Sequence, residues 1–192
     1  VAWGYGHWRI QGLEARIRQA PTVKVAVVQG NIPQAEKWAP AFQTATIEKY
    51  ARLSIGLRNQ RPDLVVWPET AAPFYFGRDA ELSLRVADAV RRTATSFLIG
   101  SPSYAVKDAG PVFYNSAFLL GPEAAVHGKY DKAHLVPFGE YVPLRRWLPF
   151  LGKLVAQVGD FEAGPKGLTL QWGPYRLGVQ ICYEIIFPGL AR

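Results

Sequence analysis

Two short β-branched runs constrain this chain more than any other feature. One opens the stretch "VKVAVVQGNIP", Val23 to Pro33, and the other is "DLVVWPET", Asp63 to Thr70. Each is a brief continuous apolar run closed by turn-forming residues, the pattern of a strand buried on both faces. Between them, Pro40 to Arg58 has helical spacing, with Ile47, Ala51 and Ile55 on one face and Pro62 limiting its end. A second helical segment, Ala80 to Ala94, turns Leu82, Val86 and Val90 inward and carries Arg91 and Arg92 in its last turn, where cations suit the helix dipole. "SFLIGSPSY", "VFYNSAFLLGP", "AVHGKY" and finally "YRLGVQICY" read as strands separated by Gly and Pro turns. An early βαβα alternation followed by a strand-rich stretch predicts an α/β fold.

With 192 residues, 49% of them hydrophobic, the chain can build a full core, which excludes a disordered segment. The 22 Lys and Arg and 15 Asp and Glu are scattered, which argues against a nucleic-acid partner. A basic surface drawn to anionic head groups and an ordinary solvated one both fit that balance. The lone Cys182 cannot form an internal disulfide, so it does not report the redox compartment. The chain lacks methionine and begins at Val1, so it reads as a piece of a longer polypeptide. "VAWGYGHWRI" is too short for a membrane span of roughly 20 residues. Trp3, Tyr5 and Trp8, followed by Arg9, Arg16 and Arg18, suit either the interfacial belt at the end of a span or the surface of a soluble linker. Residues 1–22 are accordingly expected to be a membrane-proximal linker, and residues 23–192 the folded domain.

Three polar residues stand where predicted strands end: Glu69 in "LVVWPE", Lys132 after "HGKYD" and Cys182 in "LGVQIC". In open α/β sheets, reactive groups collect at the carboxyl ends of strands. A thiol is a weak nucleophile until a base takes its proton or a cation stabilises the thiolate. A carboxylate such as Glu69 can be that base, and an ammonium such as Lys132 can also face an oxyanion. Taken singly, each residue fits a bland role as well: a loop carboxylate, a solvated charge, a small buried hydrophobe.

"WPET", "YDKAHLVPFGEYVPL" and "GVQICYEIIFP", in that order, resemble the carbon-nitrogen hydrolase (nitrilase) superfamily. "QGNIPQAEKW", "LVPFGEYVPLR" and the triplet "CYE" are similar to its apolipoprotein N-acyltransferase branch in particular. The resemblance implies an α-β-β-α sandwich, two sheets packed face to face between helices, here truncated at its C-terminal end. It implies Glu69 as general base, Lys132 as oxyanion stabiliser and Cys182 as nucleophile, with Glu140, Tyr183, Glu184 and Trp38 in supporting positions. The implied reaction moves an acyl chain from a phospholipid donor through a cysteine thioester to the N-terminal amine of a diacylglyceryl lipoprotein, with no metal or organic cofactor. The implied location is the bacterial inner membrane, with the catalytic domain on the periplasmic face. The early arginines alone would favour a cytoplasmic flank.

"YVPLRRWLPFLGKLVAQVG", Tyr141 to Gly159, mixes apolar residues with cations and is expected to lie at the membrane interface, guarding the entry of acyl chains. Two other functions fit the same residues: a soluble nitrilase-type amidase that uses water as its second nucleophile, and a non-enzymatic domain that keeps the fold. The superfamily fold continues well past its nucleophile, so the 192-residue piece alone is expected to be inactive and poorly soluble.

Overall fold

The computed structural model describes residues 1–33, 37–108, 110–141 and 161–190. After an N-terminal helix α1 (Ala2–Gln19), the chain alternates β1 (Val25–Val27), α2 (Pro40–Gly56), β2 (Leu64–Val66), α3 (Ala80–Thr93) and β3 (Ser96–Lys107). It continues through β4 (Gly110–Leu120) and β5 (Val126–Asp131), then a hairpin of β6 (Thr169–Trp172) and β7 (Tyr175–Gly178), and ends in two 3-10 turns, Cys182–Ile186 and Pro188–Leu190. α2 opens on Pro40, whose fixed φ and missing N–H suit a first helical turn. Asp79 caps α3 by accepting the Leu82 N–H at 3.0 Å, and Ala94 closes it in the left-handed conformation at φ 54°.

One sheet takes five strands in the order β1-β2-β3-β4-β5. β1, β2 and β3 are parallel, whereas β4 and β5 each reverse direction. Both parallel steps advance the same way across the sheet, so right-handed crossovers lay α2 and α3 on one face. Alternation along the strands sorts the side chains accordingly. Val65, Phe97 and Ile99 pack with Ile47 and Tyr50 of α2 and with Leu82, Val86 and Val90 of α3. Leu64, Val66 and Leu98 face the other way, into a second cluster with Leu119, Tyr130, Leu170, Trp172 and Leu177, which brings the β6–β7 hairpin against the sheet. The described residues thus build three layers, α, β and β.

The structure corrects two sequence expectations. On α2, Tyr50 and Ser54 share the buried face with Ile47, while Ala51 and Ile55 are only half-buried. Trp67 is the cause: its ring packs on Tyr50 at 5.1 Å, and its indole N–H donates to the Ser54 hydroxyl at 2.9 Å. A buried indole N–H needs an acceptor, so a hydroxyl takes a core position that apolar periodicity assigns elsewhere. Secondly, the final strand stops at Gly178, and Cys182 opens a 3-10 turn instead of closing a strand. The segment expected to be a linker is the helix α1, which exposes Trp3, Tyr5, Trp8, Ile10 and Ile17. No helix among the described residues is long and apolar enough to cross a membrane. The apolar and basic segment after Tyr141 lies outside the described residues.

Gly100 on β3 decides how closely the chain after β2 approaches the sheet. Its carbonyl accepts the Ala72 N–H at 3.0 Å. A Cβ at Gly100 would fall on the Pro68 carbonyl oxygen and lie 2.7 Å from Thr70 N and 2.8 Å from Glu69 Cα. All three are backbone atoms that cannot swing aside. Gly100→Ala should therefore destabilise the protein by about 1–3 kcal/mol, the usual cost of overpacking. Gly178→Ala, where an added Cβ meets nothing within 4 Å, should leave the thermal midpoint almost unmoved. Equal midpoints for the two variants would remove this steric account.

Candidate active site

Two reversals restore direction, so β5 runs the same way as β2 and β3. The carboxyl ends of β1, β2 and β5 consequently open on one edge of the sheet. The chain leaving β2 reaches Glu69 three residues on, and the chain leaving β5 reaches Lys132 at once. Lys132 is 1% exposed, a burial that an ammonium tolerates only with charged partners. Its Nζ donates to Glu140 Oε1 at 2.8 Å and lies 3.8 Å from Glu69 Oε1, so Glu140 is the tighter partner. Asn115 of β4 joins the two carboxylates from the other side, its Nδ2 donating to Glu69 Oε1 at 2.7 Å and to Glu140 Oε1 at 2.9 Å. Register places it there, because the Asn115 carbonyl also accepts the Lys132 N–H at 2.8 Å. Glu140 is held further by the Val136 N–H on its Oε2, 3.0 Å away.

Cys182 is exposed and stands first in its 3-10 turn at φ 56°, in the left-handed region that disfavours any side chain with a Cβ. Two residues on, Glu184 points the opposite way and is fully buried. Its carboxylate accepts the Tyr130 hydroxyl at 3.0 Å and the N–H groups of Ala133, His134 and Ile181 at 2.8, 2.9 and 2.8 Å. Tyr130 and Ala133 flank the Asp131–Lys132 step, so Glu184 ties the Cys182 turn to the segment that carries Lys132. Burial above all, and then the hydrogen bond to Glu184, push the Tyr130 hydroxyl up to about 12.

The structure brings Glu69, Lys132 and Glu140 into one cluster and fastens the Cys182 turn beside it. Tyr183 is 56% exposed and forms an apolar rim with Ile185 and Ile186 on the same turn. Trp38 is half-exposed on a groove of about 500 Å³ that it shares with Phe74, Tyr75, Tyr104 and Phe161. A larger concavity of about 690 Å³, between α2 and α3, is lined by none of these residues.

Two members of the site escape sequence reasoning. Asn115 carries a weak signal, an amide within the apolar run "VFYNSAFLL". Lys37, next to Trp38, donates from Nζ to the Glu69 carbonyl at 3.0 Å. Burial lowers its ammonium below the usual lysine range, against the opposing pull of the Glu69 and Cys182 charges.

A family model described as carbon-nitrogen hydrolase matches residues 24–192. Curated relatives include two named apolipoprotein N-acyltransferase: one from Geobacter metallireducens, 47% identical over 170 residues, and one from Methylococcus capsulatus, 40% identical over 168. These matches cover 88% and 86% of this chain but 33% and 32% of the relatives, so the chain spans about a third of their length. An amidase from Nesterenkonia sp. shares the fold at TM-score 0.59 and 16% identity, over 88% of this chain and 58% of that one. A carbon-nitrogen hydrolase from Helicobacter pylori G27 does so at TM-score 0.61 and 18% identity, over 88% and 55%.

Two predictions follow from the turn and its anchor. Cys182→Gly should be more stable than Cys182→Ala by about 1–2 kcal/mol, because alanine keeps the left-handed strain and glycine does not; chemical denaturation of both variants checks this. Tyr130 is neutral in both folded and unfolded chains below about pH 10, its ordinary pKa. Above that the unfolded chain ionises first, so its stabilising contribution is lost as pH rises through about 12. Tyr130→Phe should start less stable at neutral pH and lose less stability between pH 10 and 12, measured as denaturation midpoints.

Proposed function

Because this chain belongs to the carbon-nitrogen hydrolase family, we propose that Glu69, Lys132 and Cys182 act as its catalytic triad in an N-acyltransferase. The protein would move an acyl chain from a phospholipid to the N-terminal amine of a diacylglyceryl-cysteine lipoprotein. The observation that carries the reading is the meeting, at one sheet edge, of a carboxylate and a buried ammonium with the turn that presents the free cysteine. The relatives named apolipoprotein N-acyltransferase favour this substrate class over small amides.

In the first half-reaction Glu69 takes the thiol proton as Cys182 Sγ attacks the ester carbonyl. The carbonyl oxygen becomes an oxyanion facing the Lys132 ammonium, which Glu140 holds in place. Collapse of the tetrahedral intermediate breaks the ester C–O bond. Glu69 returns its proton to the departing oxygen, releasing a lysophospholipid and leaving an acyl thioester. In the second half-reaction the lipoprotein amine attacks the thioester, Glu69 takes a proton from the nitrogen, and the amide leaves as the thiolate is expelled. Asn115 fixes the orientation of the Glu69 carboxylate throughout, through its 2.7 Å hydrogen bond.

Exposed apolar side chains support a lipid substrate. Tyr183, Ile185 and Ile186 ring the nucleophile turn, and Trp38 offers an indole beside the Lys37 contact to Glu69. α1, with its exposed tryptophans and arginines, suits a membrane-proximal position, with the catalytic domain on the periplasmic face of the inner membrane.

Incubating the full-length protein that contains this chain with phospholipid vesicles should add one acyl mass to the Cys182 peptide, and hydroxylamine should remove it. Cys182→Ala should abolish the adduct, and an adduct that survives the substitution would refute the nucleophile assignment. Hydrolysis of a short amide with no acyl adduct would point instead to an amidase.

A further inference from the structure

We propose that Arg78 holds the phosphodiester of the phospholipid donor in the aromatic groove it shares with Trp38, Tyr75 and Tyr104, and so selects phospholipids over other acyl esters. This inference rests on the phospholipid reading above, which by itself assigns no residue to the headgroup.

Strand register places the groove beside the Glu69–Lys132 cluster. β3 and β4 pair Pro102 with Asn115 and Tyr104 with Phe113, and strand side chains two residues apart share a face. Tyr104 and Phe113 therefore stand on the face that carries Asn115, about 7 Å further along their strands. Asn115 is the residue that donates to both Glu69 and Glu140. The chain after Glu69 folds back over this end of the sheet: the Ser101 hydroxyl donates to the Phe74 carbonyl at 2.6 Å, and the Tyr75 ring lies 5.2 Å from that of Tyr104 and 5.9 Å from that of Phe113. Two further walls are fastened to the cluster through the backbone. Trp38 follows Lys37, which holds the Glu69 carbonyl, and the Phe161 N–H donates to the Glu140 carbonyl at 3.0 Å.

Arg78 brings a positive charge to these aromatic walls. Its guanidinium lies over the Tyr104 ring, 5.0 Å from the centroid, and makes no ion pair among the described residues. Asp79 also lines the groove, but its carboxylate accepts the Leu82 N–H at the start of α3, where the helix dipole favours negative charge. A guanidinium stacked on a ring keeps its in-plane N–H fork unspent, and that fork matches two oxygens of a phosphate. The volume of about 500 Å³ lies in the range of small-ligand sites. A glycerophospholipid carries its esters between phosphate and acyl chains, so one held by its phosphate in a groove fastened to Glu69 presents an ester to the cluster. An uncharged ester fills the aromatic walls equally well but leaves the guanidinium without an anion, and the selection follows from that difference.

The test uses the full-length protein that contains this chain, in nonionic detergent micelles doped with either dipalmitoyl phosphatidylglycerol or dipalmitoylglycerol, and follows acylation of the Cys182 peptide by mass spectrometry. At equal low mole fraction the unsubstituted protein should be acylated faster by the phospholipid. Arg78→Gln should raise the phospholipid mole fraction needed for half-maximal rate about tenfold, the scale of one charge-assisted hydrogen bond, move the saturating rate far less, and erase most of the difference between the donors. Arg78→Lys, which keeps the charge without the fork, should recover part of the loss. Equal losses on both donors would assign Arg78 to the general geometry of the site and overturn the proposal, and so would a phospholipid preference that Arg78→Gln leaves intact; in both cases Cys182 still gains its acyl group and the triad reading stands. An unchanged acylation rate with slower onward transfer to a diacylglyceryl-cysteine peptide would give the groove to the acceptor, which also overturns the proposal. Absence of any adduct from either donor in the unsubstituted protein overturns the triad reading and this proposal together. Thermal midpoints report folding, and Tyr104→Leu, which removes the ring beneath the guanidinium, replaces Arg78→Gln if the latter unfolds.

Discussion

The Glu184 carboxylate joins two stretches of chain that are far apart in sequence. One is the end of β5 with Tyr130, Ala133 and His134; the other is the turn that begins at Cys182. Hydrogen bonds to a charged acceptor are worth roughly 1.5–3 kcal/mol each, and a buried donor left without its acceptor costs about as much. Three of the four donors are backbone N–H groups or belong to the turn itself, so they have no alternative rotamer to adopt. The distance between an exposed sulfur and a buried ammonium is therefore governed by a side chain that need not touch a substrate. A carboxylate suits this task better than an amide, since it accepts at every position and donates at none.

The polar cluster around Lys132 follows a related logic on the other side of the site. Burying the ammonium requires anionic partners, and placing two carboxylates side by side requires donors between them. Lys132 and Asn115 meet both requirements, and each reaches Glu69 and Glu140 at once. The site's geometry is thus over-determined by electrostatics rather than by close packing alone. That suits a cluster whose neighbour, the Cys182 turn, is exposed.

What was legible in the sequence divides along the same lines. β1, α2, β2 and α3 announce themselves through local periodicity, and Glu69 and Lys132 through their place just after strands, because both signals are carried by neighbours in the chain. Asn115 sits within a strand, and only the register that sets its carbonyl opposite the Lys132 N–H shows that it belongs to the site. Lys37 is equally silent, since its partner is a backbone carbonyl 32 residues away. Ser54 and Tyr50 displace Ala51 and Ile55 from the core for a similarly non-local reason, the indole N–H of Trp67. The left-handed backbone at Cys182 has no compositional marker at all, whereas the order of the blocks around Glu69, Lys132 and Cys182 anticipated the family.

The two strand reversals between β3 and β5 carry a consequence of parity. An even number of reversals delivers Lys132 to the same edge as Glu69; an odd number would deliver it to the far edge, with every local sequence motif intact. The tip between β3 and β4 can lengthen or shorten without disturbing the site, provided the two strands keep their pairing. Removing either strand would separate the charges by the full length of the sheet. The meeting of Glu69 and Lys132 therefore depends on a count of turns as much as on any single residue.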